Sequence, residues 1–146
     1  MQFTDDEIDR LRTSFDRLRQ TMASQDPFGR VFYDRLFAKL PEARGLFRDD
    51  LAEQGMRFLT TLGVIVNTLD DPAEFERTLE ALGAGHRAYG VTAAAYAPMG
   101  AALRETMADW LGDRYDAETD AAWARAYAAV SERMLAAAPA GPAAPA

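Results

Sequence analysis

Residues 72–88 read PAEFERTLEALGAGHRA, and the apolar positions Phe75, Leu79 and Leu82 lead to His86 at steps of 4, 3 and 4. Steps of three and four residues return to one side of an α-helix. The stretch therefore predicts a helix with a histidine on its apolar face. Asp70-Asp71-Pro72 supplies its start, a cap residue followed by proline at the first helical position. His86 is the only histidine in the chain, so any chemistry that needs an imidazole runs through this helix.

The same pattern extends in both directions. From Leu51 to Leu69, Phe58, Leu62, Ile65 and Leu69 recur at steps of 4, 3 and 4, which predicts an amphipathic helix. Before it, Asp26-Pro27 starts a helix whose stripe is Phe28, Val31, Phe32, Leu36 and Phe37. Pro41 interrupts that run, and Pro41 to Asp50, which contains Gly45, reads as one helical turn and an irregular corner. Nearest the N-terminus, Ile8, Leu11, Phe15, Leu18 and Met22 mark a helical face, with Thr4 and Glu7 forming a capping box. Downstream, Thr92 can cap a helix to about Leu111, and Asp116 or Thr119 a last one to about Ala138 bearing Trp123, Tyr127, Val130 and Met134. Nothing alternates with period two. The expectation is an all-α single domain of six to eight helices over residues 1–138, followed by a disordered Pro/Ala-rich tail, PAGPAAPA, at 139–146.

Composition removes several function classes. With no cysteine among 146 residues there is no disulfide framework, no thiolate nucleophile and no sulfur-ligated metal. One histidine excludes multi-histidine metal sites. Sixteen Lys and Arg against 23 Asp and Glu leave a net charge of −7, and the basic residues form no stripe, so no nucleic-acid partner is expected. The opening MQFTDDEIDR is acidic where a secretory signal is basic, and runs such as Val64-Ile65-Val66 fall far short of the ~20 apolar residues of a membrane span. A cytoplasmic protein without a membrane span is the expectation.

Three polar residues stand on apolar faces. Besides His86, Gln54 lies one turn before Phe58, with Arg57 beside it, and Tyr33 follows Phe32 in a run otherwise suited to a core. A buried amide or phenol without a partner costs ~1–3 kcal/mol. No carboxylate shares these stripes, and Ser14, Ser24 and Ser131, the only serines, are not placed near the histidine by spacing, so a hydrolase is a poor reading. The set suits a ligand that brings its own chemistry: a neutral imidazole is an adequate single axial ligand for heme iron, with tyrosine and glutamine opposite as donors to a small ligand. Trp110, Trp123 and Tyr127 read as core packing, and Met56, Met99, Met107 and Met134 as gap-fillers. Asp49, Asp50 and Glu53 read as a solvated acidic cluster, or as a face for a basic reductase.

The stretches FYDRLFAKLPEARGLF (32–47), Gln54, LDDP (69–72), LGAGHRAYGV (82–91), AAYAPMGAAL (94–103) and AWARAYAAV (122–130) together resemble the bacterial single-domain haemoglobins and the globin domain of flavohaemoglobins. The likeness covers roughly residues 5–136 and rests on phenylalanine, glutamine and histidine falling in the right order and separation. It implies a globin fold, a three-over-three helical sandwich holding heme b, with His86 as the iron ligand. Phe47 would pack flat on the heme, Gln54 and Tyr33 would be the distal polar residues, and Phe58 would fill the distal pocket. Arg57 is placed for a propionate, the ligand or simply the surface, while Leu82, Val91 and Tyr96 complete the cofactor surroundings. In flavohaemoglobins the tyrosine matched by Tyr96 shares a proximal network with a glutamate, whose position here is Ala138. Without that glutamate, His86 is expected to donate to a backbone carbonyl near Leu82, as in oxygen-binding globins.

The function implied is reversible binding of O₂, with CO and NO as further ligands, for oxygen transport or storage. The alternatives are NO dioxygenase activity with a separate flavin reductase, since 146 residues leave no room for one, and heme-based gas or redox sensing. Dimers are frequent in this family, and a homodimer is compatible with the likeness.

Overall fold

The computed structural model describes residues 3–22, 27–46, 51–88 and 93–137. Within them lie α1 (Asp5–Met22), α2 (Pro27–Lys39), α3 (Leu51–Asn67), α4 (Pro72–Ala88), α5 (Ala93–Leu111) and α6 (Ala117–Ala137), with 3-10 turns at Pro41–Leu46 and Gly112–Arg114. No strand occurs among the described residues.

The starts follow the capping chemistry of the sequence. At α1 the box is reciprocal: Thr4 N donates to Glu7 Oε1 at 2.9 Å and Glu7 N to Thr4 Oγ1 at 3.1 Å. Asp71 caps α4 by accepting from Glu74 N at 3.2 Å. Of the two cap candidates for α6, Asp116 does the work, accepting from Thr119 N at 2.8 Å, while Thr119 is buried inside the first turn. The expected caps Asp26 and Thr92, and the tail 139–146, lie outside the described residues. Helix α3 stops at Asn67, short of Leu69, because Thr68 turns back onto Ile65 O through both its N–H (3.0 Å) and its hydroxyl (2.8 Å).

Two layers result. Helices α1, α3 and α4 form one, and α2, α5 and α6 the other, with α1 crossing α5 and α6, α3 crossing α2, and α4 crossing α6. This is the three-over-three sandwich, and the apolar stripes meet between the layers: Leu11, Leu18, Phe32, Leu36, Leu79, Leu103 and Met107 are fully buried. Ser14 and Trp123 join α1 to α6, the indole Nε1 donating to Ser14 Oγ at 2.7 Å.

Two crossings are closer than side chains permit. A Cβ on Gly55 of α3 would lie 2.5 Å from the Cα of Gly29 in α2, and one on Gly83 of α4 would lie 2.4 Å from the carbonyl oxygen of Met134 in α6. At both points only a hydrogen-for-side-chain residue lets the backbones meet. The rims are tied by ion pairs, Arg10 to Asp6 and Glu118, Arg12 to Asp70, and Arg133 to Glu76 and Glu80. Arg104 grips Asp120 through two nitrogens, at 2.9 and 2.7 Å, and the Tyr115 hydroxyl donates to the same carboxylate at 2.8 Å. The Arg104 contact holds the Asp120 carboxyl below its ordinary range.

Two outcomes follow. Gly55→Ala should lower unfolding free energy by ~1–3 kcal/mol, the usual cost of overpacking, whereas Gly45→Ala, with open space at its Cβ, should leave it unchanged or higher in chemical denaturation. A group whose folded pKa is depressed stabilises above its unfolded value and loses that contribution as pH falls. The stability gap between the parent and Asp120→Asn should thus be widest near neutrality and close as the medium is acidified through the ordinary aspartate value of 3.8. A gap independent of pH would remove the Arg104–Asp120 pair from the acid response.

Candidate functional site

Between the layers, α3, α4, α5 and α6 enclose a cavity of about 80 Å³ with almost entirely apolar walls. Phe58 and Leu62 supply the α3 side, Leu82 the α4 side, and Tyr96, Met99 and Tyr127 the far side. Of the residues singled out in the sequence, the structure brings Phe58, Leu82 and Tyr96 onto this one cavity.

Tyr33 of α2 and Gln54 of α3 meet each other. Tyr33 is 1% exposed, and its phenol is hydrogen-bonded by the Gln54 side chain. Burial pushes the phenol above its ordinary value, and the Gln54 bond opposes that rise, as an amide N–H donating to the phenol oxygen does. Gln54 stands one turn before the cavity residue Phe58 on α3, and Tyr33 packs on the edge of Phe32, whose ring stacks on Phe58. The Gly29–Gly55 contact explains why the pair forms: Gly29 is one turn before Tyr33, and Gly55 is next to Gln54.

His86 lies in α4 one turn after Leu82, its backbone therefore on the face that carries that cavity residue. The His86 side chain, together with Phe47, Val91 and Ala138, lies outside the described residues. Arg57 is not gathered into the site. It is exposed and paired with Glu53 at 2.6 Å, one turn back on α3, which also accounts for the described member of the acidic cluster. Met56 is exposed, off the Gln54 face as its spacing requires.

The sequence reading took Tyr127 as packing alone, but the structure gives it polar company. Its phenol is pushed up first by burial and then by the neighbouring Tyr96 phenol, while Ser131 opposes the rise. Ser131 Oγ is buried against this phenol without a hydrogen bond of good geometry. The stripe Trp123, Tyr127, Val130 and Met134 gave the face of α6 that meets the cavity, and Ser131, one turn after Tyr127, was the signal of a polar neighbour.

A family model described as Globin matches residues 30–134. The flavohemoprotein of Bordetella pertussis is 28% identical over 109 residues, 73% of this chain and 27% of that protein. The flavohemoprotein of Bordetella bronchiseptica gives the same identity and coverage. This chain thus spans about a quarter of the length of the curated relatives it matches. A hexacoordinated heme protein from an anhydrobiotic tardigrade superposes with a TM-score of 0.77 at 17% identity, covering 92% of this chain and 94% of that one, a likeness of fold.

Tyr33, Tyr96, Tyr115 and Tyr127 are all held above the ordinary phenol value of 10.0, chiefly by burial. Raised folded values stabilise below the unfolded value and cease to do so as pH rises past it. In an ultraviolet titration, these phenols should ionise only together with loss of helix signal, well above pH 10. Reversible ionisation of every tyrosine near pH 10 in the folded chain would contradict the burial described.

Proposed function

Because the chain belongs to the globin family, we propose that it holds heme b and binds O₂ reversibly, with CO and NO as further ligands. The observation that carries this reading is the apolar cavity between Phe58 and Leu82, one helical turn from the only histidine. The residues present suit the group. The walls are apolar, the chain offers one imidazole and no thiolate, and the Tyr33–Gln54 pair supplies hydrogen-bonding atoms beside Phe32, whose ring stacks on the cavity residue Phe58.

When bound, the heme supplies a ferrous centre that takes up diatomic gases. In this reading His86 would hold the iron through one ring nitrogen, and its other N–H would donate to a carbonyl near Leu82, fixing the tautomer. Phe47, Val91 and Tyr96 would line the group, and Arg57 on the surface would be a propionate partner only on leaving Glu53. Tyr33 holds its proton at all physiological pH, since burial raises its pKa. A protonated phenol whose oxygen already accepts from Gln54 is polarised as a donor. Such a donor would stabilise a ligand that carries partial negative charge, as O₂ would, more than one that stays nearly neutral, as CO would.

The flavohemoprotein relatives favour a second reading, NO dioxygenation, in which O₂, NO and one electron give nitrate and a separate flavin reductase supplies the electron. The same residues serve both readings. Nitrate formation under turnover with a reductase distinguishes the enzyme from the carrier.

The test is the absorption spectrum of the purified protein oxidised, reduced and exposed to CO. A five-coordinate reduced spectrum that shifts sharply with CO supports the reading, and absence of a heme band after adding hemin sinks it. His86→Ala should abolish stable heme uptake. If Tyr33 contributes ~1.5–2 kcal/mol as one charge-assisted bond, Tyr33→Phe should speed O₂ release roughly 10- to 30-fold with CO release nearly unchanged. Equal O₂ off-rates would remove Tyr33 from the mechanism.

A further inference from the structure

The outer face of α3 differs from the surface around it. Among the described residues three large apolar side chains are exposed, Met56 at 50%, Val64 at 49% and Leu135 at 40%, and two of the three lie on this helix. Met56, Thr60 and Val64 follow at steps of four, so they form one ridge along it. Thr60 donates its hydroxyl back to Met56 O at 2.9 Å, which satisfies the polar group within the helix. Residues 58–69, FLTTLGVIVNTL, hold no charge in a chain of which 27% is charged. The other side of α3 packs into the core through Leu59, Leu62, Ile65 and Val66, so core packing does not account for the ridge.

Charge sits at both ends of the ridge and is balanced at each. At the start of α3, Glu53 pairs with Arg57 at 2.6 Å. At its end, Arg12 of α1 pairs with Asp70 at 3.0 Å and donates to the carbonyls of Val66 and Asn67. Copies of a chain with a net charge of −7 repel one another, but this face is locally neutral. Turned end for end, it complements itself: Glu53 of one copy comes to the Arg12 end of the other, Met56 to Val64, and Thr60 to Thr60. That is the reciprocal pattern of a two-fold interface, in which residue i meets j and j meets i. Ridges of four-residue spacing are also those that interdigitate in the commonest helix crossing. A parallel pairing would instead set Glu53 on Glu53 and Arg57 on Arg57.

We propose that the outer face of α3 docks a second copy of this chain, the two α3 helices crossing antiparallel about Thr60. Met56 and Val64 supply the attraction, and the balanced ends fix the direction. The ridge is about 12 Å long. So short a contact belongs to the weak, transient class, and dimers are expected to form between about 10 μM and 1 mM.

Sedimentation velocity of the full chain over that range tests the proposal. The parent should pass from monomer to dimer, and Val64→Asp and Met56→Lys should each weaken association at least about tenfold. Both residues are exposed, so helix content and thermal midpoint should stay as in the parent. A parent that remains monomeric to about 1 mM, or a dimer that both variants leave intact, overturns the proposal. Direction has its own readout. The chain has no cysteine, so an introduced thiol reports by itself. Under mild oxidation Thr60→Cys should give a disulfide-linked dimer, and Met56→Cys should link to Val64→Cys in a mixture of the two far more than to itself. Equal self-linking by Met56→Cys overturns the antiparallel crossing. Linking by Ala128→Cys, exposed on α6, in preference to Thr60→Cys overturns the choice of face. A monomeric parent whose Met56 is shielded from peroxide only when a flavin reductase is added assigns the face to that partner, and overturns the proposal as well.

Discussion

The contact between Gly29 and Gly55 is the constraint on which the site depends. Glycine inside a helix costs ~0.5–1 kcal/mol relative to alanine, and both helices carry that cost at the same point. What offsets it is proximity. With no side chain at the crossing, α2 and α3 approach until the Gln54 amide reaches the Tyr33 phenol and the Phe32 and Phe58 rings stack at 4.8 Å. A single Cβ there would separate the helices and with them the polar pair and the ring stack, so fold and site share one cause.

The crossing at Gly83 and Met134 plays the matching part on the other side of the cavity. It seats α4 on α6 beside Leu82, one residue from the contact, and thereby fixes the helix that carries His86. Ion pairs at the rims, such as Arg133 with Glu76 and Glu80, join the same two helices. Exposed pairs contribute only ~0–1 kcal/mol each, so they select register more than they supply stability, and the close backbone contact does the greater share.

The helices were legible because periodicity and caps are local. The stripe of α4, the box at Thr4 and Glu7, and the Asp71 cap needed no tertiary information, and the structure has each. The inward direction of Tyr33 was readable from its neighbour Phe32, and that of Phe58 from the stripe. The glycine contacts were not, since a glycine within a helix signals a close approach without naming the partner. Tyr127 packs against the core as its stripe implies, but the stripe did not show that a second phenol and a serine lie beside it. Arg57 had several partners open by sequence, and Glu53, one turn away, is the partner found. Helix α3 ended early because Thr68 competes for the carbonyl of Ile65, a local side-chain effect that the apolar period pointing to Leu69 does not register.

The polarity of the cavity explains how such a site stays both dry and directional. Among the described residues that line it, none carries a charge, and burial raises the Tyr96 and Tyr127 phenols further from neutrality. A buried charge would demand a partner and would draw in water, at a cost of several kcal/mol. Neutral dipoles avoid that cost, yet a phenol such as Tyr33, fixed by Gln54 on one side and by the Phe32 and Phe37 rings on others, keeps one orientation. In the proposed reading, discrimination between small ligands would rest on where a neutral donor is held and how much room lies beside it. Both quantities are set by the packing of α2 on α3.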